Sequence, residues 1–139
     1  MTPETLASQA ETEARAARLG ATLRGGEVLL LHGELGAGKT AFVRGLAAGL
    51  GCDPGEVASP TFVLLTSYPG RLRLHHADLY RLAPGDHDEL GLEELPGPGG
   101  VLAVEWAERL ARVPWPRVLR VTLEHAGGDR RRLTIDQEG

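Results

Sequence analysis

Several things this sequence lacks narrow its class. A single cysteine, Cys52, excludes an internal disulfide framework and a cysteine-built zinc site. No apolar run approaches the roughly 18 residues of a membrane span. The first residues lack the basic-then-apolar pattern of a signal peptide. The chain is therefore expected to be cytoplasmic, with no membrane partner. Asparagine is absent and lysine occurs once, at Lys39, among 15 basic residues. Genome composition and heat adaptation both fit that bias. Either way, the position of the one lysine becomes a question. Positive charge is also short: 15 basic against 19 acidic residues leave a net −4, which argues against a chain that grips nucleic acid alone by bulk electrostatics.

The 139 residues suggest one domain, residues 1–139, able to bury about two-thirds of the surface its unfolded chain exposes. Hydrophobic residues at 42% and charged residues at 24% are ordinary for a globular protein. Gly (19) and Pro (9) are numerous, but below the level of a structureless chain. Ser8-Gln9-Ala10-Glu11 reads as a capping box opening a helix to about Leu23, stopped by Gly25-Gly26. Residues 1 to 7 form a short leader that fits an edge strand. Val28 to His32 is a continuous apolar run, which suits a strand buried on both faces in a parallel sheet. Lys39 to Leu50 has apolar residues at helical spacing, and Gly51 stops it.

Thr61 to Tyr68 and Leu72 to Asp78 read as strands joined by a turn at Pro69-Gly70. Residues 82 to 100 are loop-rich and acidic. Val101 to Glu105 is another buried-type strand, and Glu108 to Arg112 reads as a short helix stopped by Pro114. Val118 to Glu124 and Arg131 to Asp136 flank Gly127-Gly128 as a hairpin. The pattern predicts an α/β fold with a mainly parallel central sheet and an antiparallel C-terminal edge hairpin; with Gly33-Glu34-Leu35-Gly36-Ala37-Gly38-Lys39-Thr40 between the first buried strand and its helix, it becomes a P-loop NTPase-like three-layer fold.

Gly33-Glu34-Leu35-Gly36-Ala37-Gly38-Lys39-Thr40 fits G-x-x-x-x-G-K-S/T. Glycines let successive backbone N–H groups turn toward phosphate oxygens. The following helix aims its positive end at the same anion. Lysine reaches the β- and γ-phosphates, and the Thr40 hydroxyl can ligate Mg²⁺. The strand before and the helix after supply the context the motif requires. The only lysine stands where the pattern demands one.

Such a site needs an acid for the metal's shell and a group that positions water. These belong at the C-terminal ends of sheet strands, beside the loop. Asp78 and Glu105 each end a predicted strand, and spacing alone does not say which would meet the metal. His75 and His76 are adjacent and must face opposite ways in a strand. One of them suits a buried or supporting role. Ser59 and Thr61 fit either a γ-phosphate-sensing switch hydroxyl or a turn with a strand start. Arg81 fits a phosphate-sensing arginine or a surface ion pair. Trp106 fits core packing or a nucleotide or partner contact. Arg130-Arg131-Arg132 fits a solvated hairpin end or a contact to RNA or an acidic partner.

In order, Gly33 to Thr40, Ser59-Pro60-Thr61-Phe62, His76-Ala77-Asp78-Leu79-Tyr80-Arg81 and Val104-Glu105-Trp106 resemble the motifs of the TsaE (YjeE) family. Those are the small P-loop ATPases of bacterial tRNA threonylcarbamoyladenosine synthesis. The resemblance implies an ATPase using Mg²⁺, acting with a TsaB–TsaD complex to permit its repeated turnover on adenosine 37 of tRNA. The tRNA contact would run through that complex. It implies a nucleotide site of Gly33, Glu34, Leu35, Gly36, Ala37, Gly38, Lys39, Thr40 and Ala41, with Thr12 near the adenine. Lys39, Asp78 and Glu105 would be catalytic. Thr40 and Glu105 would be metal-associated, with Asp78 the second acid, positioning water. Ser59 and Thr61 would be switch-like. Ala41 stands where the family often has Thr or Ser, so that contact would rest on backbone.

Two other readings compete. A small-molecule P-loop kinase needs a lid and an acceptor pocket, and residues 82 to 100 are a short and acidic insert. A non-hydrolysing, nucleotide-dependent switch would not need Thr40, Asp78 and Glu105 together.

Overall fold

Strand β1 (Glu4–Leu6) leads directly into helix α1 (Gln9–Thr22). Ser8 caps that helix: its Oγ accepts the Glu11 N–H at 3.2 Å, satisfying one of the first-turn amides. The structure, a computed structural model, describes residues 3–34, 36–57, 65–80, 91–110 and 112–138. Strand β2 (Val28–His32) and helix α2 (Lys39–Gly49) follow. Then come β3 (Leu65–Tyr68), β4 (Arg73–Asp78), β5 (Gly100–Glu105), β6 (Val118–His125) and β7 (Arg131–Glu138). Ser59, Thr61 and Arg81 lie outside the described residues, as does Leu35.

The seven strands form one sheet in the order β1-β7-β6-β2-β5-β4-β3. β2 pairs in parallel with both β5 and β6, and β4 pairs in parallel with β5. The predicted parallel centre is therefore present. β6 and β7 form the predicted antiparallel hairpin, and β1 pairs along its outer strand through Glu4–Leu133 and Leu6–Arg131. The leader does make an edge strand.

Both α-helices lie on one face. Leu29, Leu31, Val101, Ala103, Val121 and Leu133 point to that side, against Phe42, Val43, Leu46 and Leu50 of α2 and Ala16 of α1. Val28, Leu30, Leu102 and Val104 point the other way, toward Leu92, Ala107 and the half-buried Trp115. Among the described residues that second layer is built from 3-10 turns and loops rather than α-helix. The indole N–H of Trp115 pins it by donating to the Leu95 carbonyl at 2.9 Å. Burying each leucine of β2 contributes about 1.5–3 kcal/mol, which is why a run with no alternation becomes the central strand.

The predicted helix at Glu108 to Arg112 is instead a single 3-10 turn, Ala107–Arg109, and Leu110 is already extended (φ −70°, ψ 135°). Trp106 in the left-handed region (φ 59°) redirects the chain at the strand's end.

The helices α1 and α2 touch backbone to backbone. A Cβ at Gly45 would stand 2.1 Å from the Glu13 carbonyl, and one at Gly49 2.3 Å from that of Ala17. The contacts advance together along both helices, so the two run in the same direction. The first turn of α1 therefore sits at the N-terminal end of α2, where the loop of residues 33–38 closes.

Candidate nucleotide site

β2 ends at His32, and the chain enters the loop between the central strand and α2. Gly38 closes that loop as the residue before α2, with φ 99° and ψ 18°. That left-handed conformation favours glycine. The first helical bond runs from the Phe42 N–H to the Gly38 carbonyl at 2.9 Å. The amides of Lys39, Thr40 and Ala41 are thus first-turn donors with no carbonyl one turn back. They point out of the helix start, where an anion is stabilised by the dipole as well. Within the loop the Ala37 N–H donates to the Glu34 carbonyl at 3.0 Å. Gly36 and Glu34 are exposed and Ala37 is buried.

Lys39 is buried (5% exposed). Its Nζ donates to the Gly33 carbonyl and lies 3.7 Å from the centroid of the Trp106 ring. Trp106 in turn stacks, tilted, on Tyr80 at 4.8 Å between centroids. Burial lowers the ammonium's pKa, while Glu108, Glu105 and Asp78 hold it up. Of the two readings for Trp106, packing against the site's own lysine is the one the contacts favour, as a cation–π pair.

The two acids meet. Asp78 and Glu105 are register partners at the C-terminal ends of the adjacent parallel strands β4 and β5. Strand alternation puts both on the helix side. Leu74 and Ala103 belong to the cluster under the helices, so His76, Asp78 and Glu105 share their face. The Thr40 hydroxyl stands 3.4 Å from each Glu105 carboxylate oxygen and donates there. The Asp78 Oδ1 accepts the Tyr80 N–H at 3.0 Å. Burial pushes the Asp78 carboxyl above its ordinary range; the Tyr80 N–H opposes this, the Glu105 charge adds to it, and His76 and Lys39 oppose it.

His76 and His75 do face opposite ways. His75 Nδ1 is bonded to Ser67 Oγ at 2.7 Å. His76 is 1% exposed and its Nε2 donates to Glu105 Oε2 at 2.6 Å. An ionised carboxylate only accepts, so the proton of that bond belongs to the imidazole. His76 thereby fixes the orientation of the carboxylate that Thr40 also touches.

The donor set is hard oxygen: a hydroxyl and two carboxylates on one face beside a phosphate loop. That suits Mg²⁺, which takes few protein ligands and completes its shell with phosphates and water. Among the described residues no group of three or more His, Cys, Asp or Glu could hold a metal by protein ligands alone.

The structure therefore brings together Gly33, Gly38, Lys39, Thr40, Asp78 and Glu105. Thr12 lies on the first turn of α1, fully buried, with its hydroxyl donating to the Ser8 carbonyl at 3.3 Å. Arg131 is a functional candidate that sequence reasoning left in a surface cluster. Its Nε donates to the Ala37 carbonyl at 3.1 Å and its Nη2 to that of Gly36 at 3.2 Å. A signal was present: Arg131 shares the inward phase of β7 with Leu133 and Ile135, where a charge needs a reason.

Residues 6–133 match the family model described as "Threonylcarbamoyl adenosine biosynthesis protein TsaE". The chain belongs to the TsaE family. Its TsaE relatives include the tRNA threonylcarbamoyladenosine biosynthesis protein TsaE of Treponema pallidum, 42% identical over 118 residues, covering 84% of this chain and 87% of that protein. The TsaE of Bacillus subtilis, under the same name, is 41% identical over 131 residues, covering 93% and 81%. The crystal structure of YdiB from Bacillus subtilis superposes with a TM-score of 0.77 at 33% identity, covering 96% of this chain and 83% of that one. Among the described residues no helix is long and apolar enough to cross a membrane.

Proposed function

We propose that this TsaE-family chain binds ATP and hydrolyses it with Mg²⁺, and that it serves threonylcarbamoylation of tRNA adenosine 37 with a TsaB–TsaD-type complex. The hydrolysis would permit repeated turnover of that complex, which itself carries out the transfer and meets the tRNA. The names of the relatives support the pathway. The observation that carries the ATPase reading is the union of Lys39 and Thr40 with the Glu105–Asp78 pair at one end of the sheet.

Each residue has a definable task. The first-turn amides of α2 and the loop amides bind phosphate oxygens. Lys39 carries the positive charge for the β- and γ-phosphates and exchanges the Gly33 carbonyl for them. Thr40 and Glu105 would hold Mg²⁺, with Asp78 beside them. When bound, that ion would supply positive charge to offset what develops on the phosphates. Asp78, the acid whose proton affinity burial raises, suits orientation of the attacking water. His76 keeps Glu105 turned toward Thr40. Ser59 and Thr61 remain the proposed switch hydroxyls.

The test is phosphate release from ATP by the purified chain, alone and then with TsaB, TsaD and tRNA. Weak release that rises with the complex and vanishes in Lys39→Ala supports the reading. Release indifferent to those components overturns the pathway role and leaves the phosphate loop. No nucleotide binding at all overturns both.

A further inference from the structure

Arg131 stands 94 positions from Ala37 in the chain, yet its guanidinium is bonded to the phosphate loop. Four of its contacts go to backbone carbonyls. Nε and Nη2 reach Ala37 and Gly36 of the loop. Nη1 reaches Gly128 at 3.0 Å and Arg130 at 2.8 Å, both in the hairpin turn. One planar fork thus ties the β6–β7 turn to the loop. The hairpin touches the loop's other end as well. Arg120 on β6 is bonded to His32 Nε2 at 3.0 Å. A Cβ at Gly33 would lie 2.5 Å from the Leu123 carbonyl.

The peptide bond makes this more than a brace. In a trans peptide the C=O and the next N–H point in opposite directions. Drawing the Ala37 carbonyl toward Arg131 therefore aims the Gly38 N–H away from it. Holding the Gly36 carbonyl likewise fixes the Ala37 N–H, which closes on Glu34 inside the loop. A carbonyl flipped inward would present a partial negative charge to the phosphates.

We infer that Arg131 is a positioning residue for nucleotide binding: it holds the Ala37 and Gly36 carbonyls, which turns the Gly38 N–H toward the phosphates beside the first-turn amides of α2 and keeps the Ala37 N–H on Glu34, and it makes nucleotide affinity depend on the hairpin turn. The inference rests on the nucleotide reading above. Its partner chemistry is a nucleoside di- or triphosphate, the anion for which those amides are oriented.

The experiment is calorimetric titration of Mg-ADP into the full chain, well below each variant's melting temperature, for wild type, Arg131→Ala, Arg131→Lys and Arg132→Ala. Arg132 is exposed on the same strand and controls for loss of one positive charge. Arg131→Ala should weaken ADP about tenfold or more, about 1.4 kcal/mol, because the loop loses the charge-assisted bonds that hold its carbonyls. Arg131→Lys, which keeps the charge but not the fork, should fall between. Arg132→Ala should bind like wild type. If Arg131→Ala is too unstable to titrate, Arg131→Lys decides, and affinity equal to wild type overturns the inference. So does Arg131→Ala binding within about twofold of wild type, or Arg132→Ala losing as much. A wild-type chain that binds no ADP overturns the nucleotide reading instead.

Discussion

Asp78→Asn should make the ligand-free protein more stable while abolishing its proposed activity. Asp78 is buried and is the register partner of Glu105. Adjacent strands lie about 4.8 Å apart, and two like charges at about 5 Å repel by about 3 kcal/mol at an effective dielectric of 20. Lys39 and His76 offset part of this, leaving about 1–2 kcal/mol. Asparagine keeps the Oδ1 that accepts the Tyr80 N–H and removes the charge. With the entropy of unfolding expected for 139 residues, the melting temperature should rise by about 3–6 °C at pH 7.

The pH dependence isolates the cause. The Asp78 carboxyl is raised in the folded state, so the folded protein holds its proton more tightly than the unfolded chain does. Its contribution is favourable below the unfolded value near 3.8 and is lost as pH rises through the folded value. The advantage of Asp78→Asn should therefore be full at pH 7 and shrink as pH falls toward 4. Thermal melts followed by circular dichroism at pH 4, 5, 6 and 7 read this directly. A variant less stable than wild type at pH 7, or one whose gain does not change with pH, refutes the reasoning. Phosphate release by the same variant should fall about 10²- to 10⁴-fold.

Gly45→Ala should cost stability although alanine favours helix, because its methyl would stand 2.1 Å from the Glu13 carbonyl. Forcing α1 off α2 should cost about 1–3 kcal/mol net of propensity, read as a fall in urea midpoint. A rise would mean the helices do not touch there. Burial, with Arg73 adding to it, lowers the pKa of His75, opposed by the Pro96 carbonyl. The stability it contributes is full above about pH 6.5 and is lost as pH falls through its lower folded value. Between pH 7.5 and 5.5 the wild type should lose more melting temperature than His75→Gln, and equal losses would clear His75.

What was legible in the sequence is what is local. The phosphate loop is eight consecutive residues whose glycines and lysine carry their own meaning, and the cap at Ser8 is set by the three residues that follow it. Asp78 and Glu105 could be placed at strand ends because each closes its own strand-like run. That they face each other could not be read, since 27 positions separate them and only the parallel register between β4 and β5 aligns them. His76 was seen as a strand residue, but its partner Glu105 comes from the neighbouring strand. Glu108 to Arg112 has helical composition and reads as a longer helix than the single turn Ala107–Arg109. The left-handed Trp106 and the extended Leu110 limit it to one turn. The Arg131 contact joins opposite ends of the chain, and a run of three arginines reads as solvated surface unless the phase of β7 is followed inward.

Lys39 is the sole lysine of the sequence and lies under the Trp106 ring with its proton affinity reduced by burial. Side-chain acylation by an amine-directed reagent thus has one address in this molecule, and that address is the phosphate loop. A lowered pKa leaves more of the amine neutral and nucleophilic, while the enclosing indole and the Gly33 carbonyl slow access. The rate of labelling becomes a clock for how often the lysine leaves that shelter, and the mass added to the peptide that carries Lys39 counts the phosphate loops that have opened.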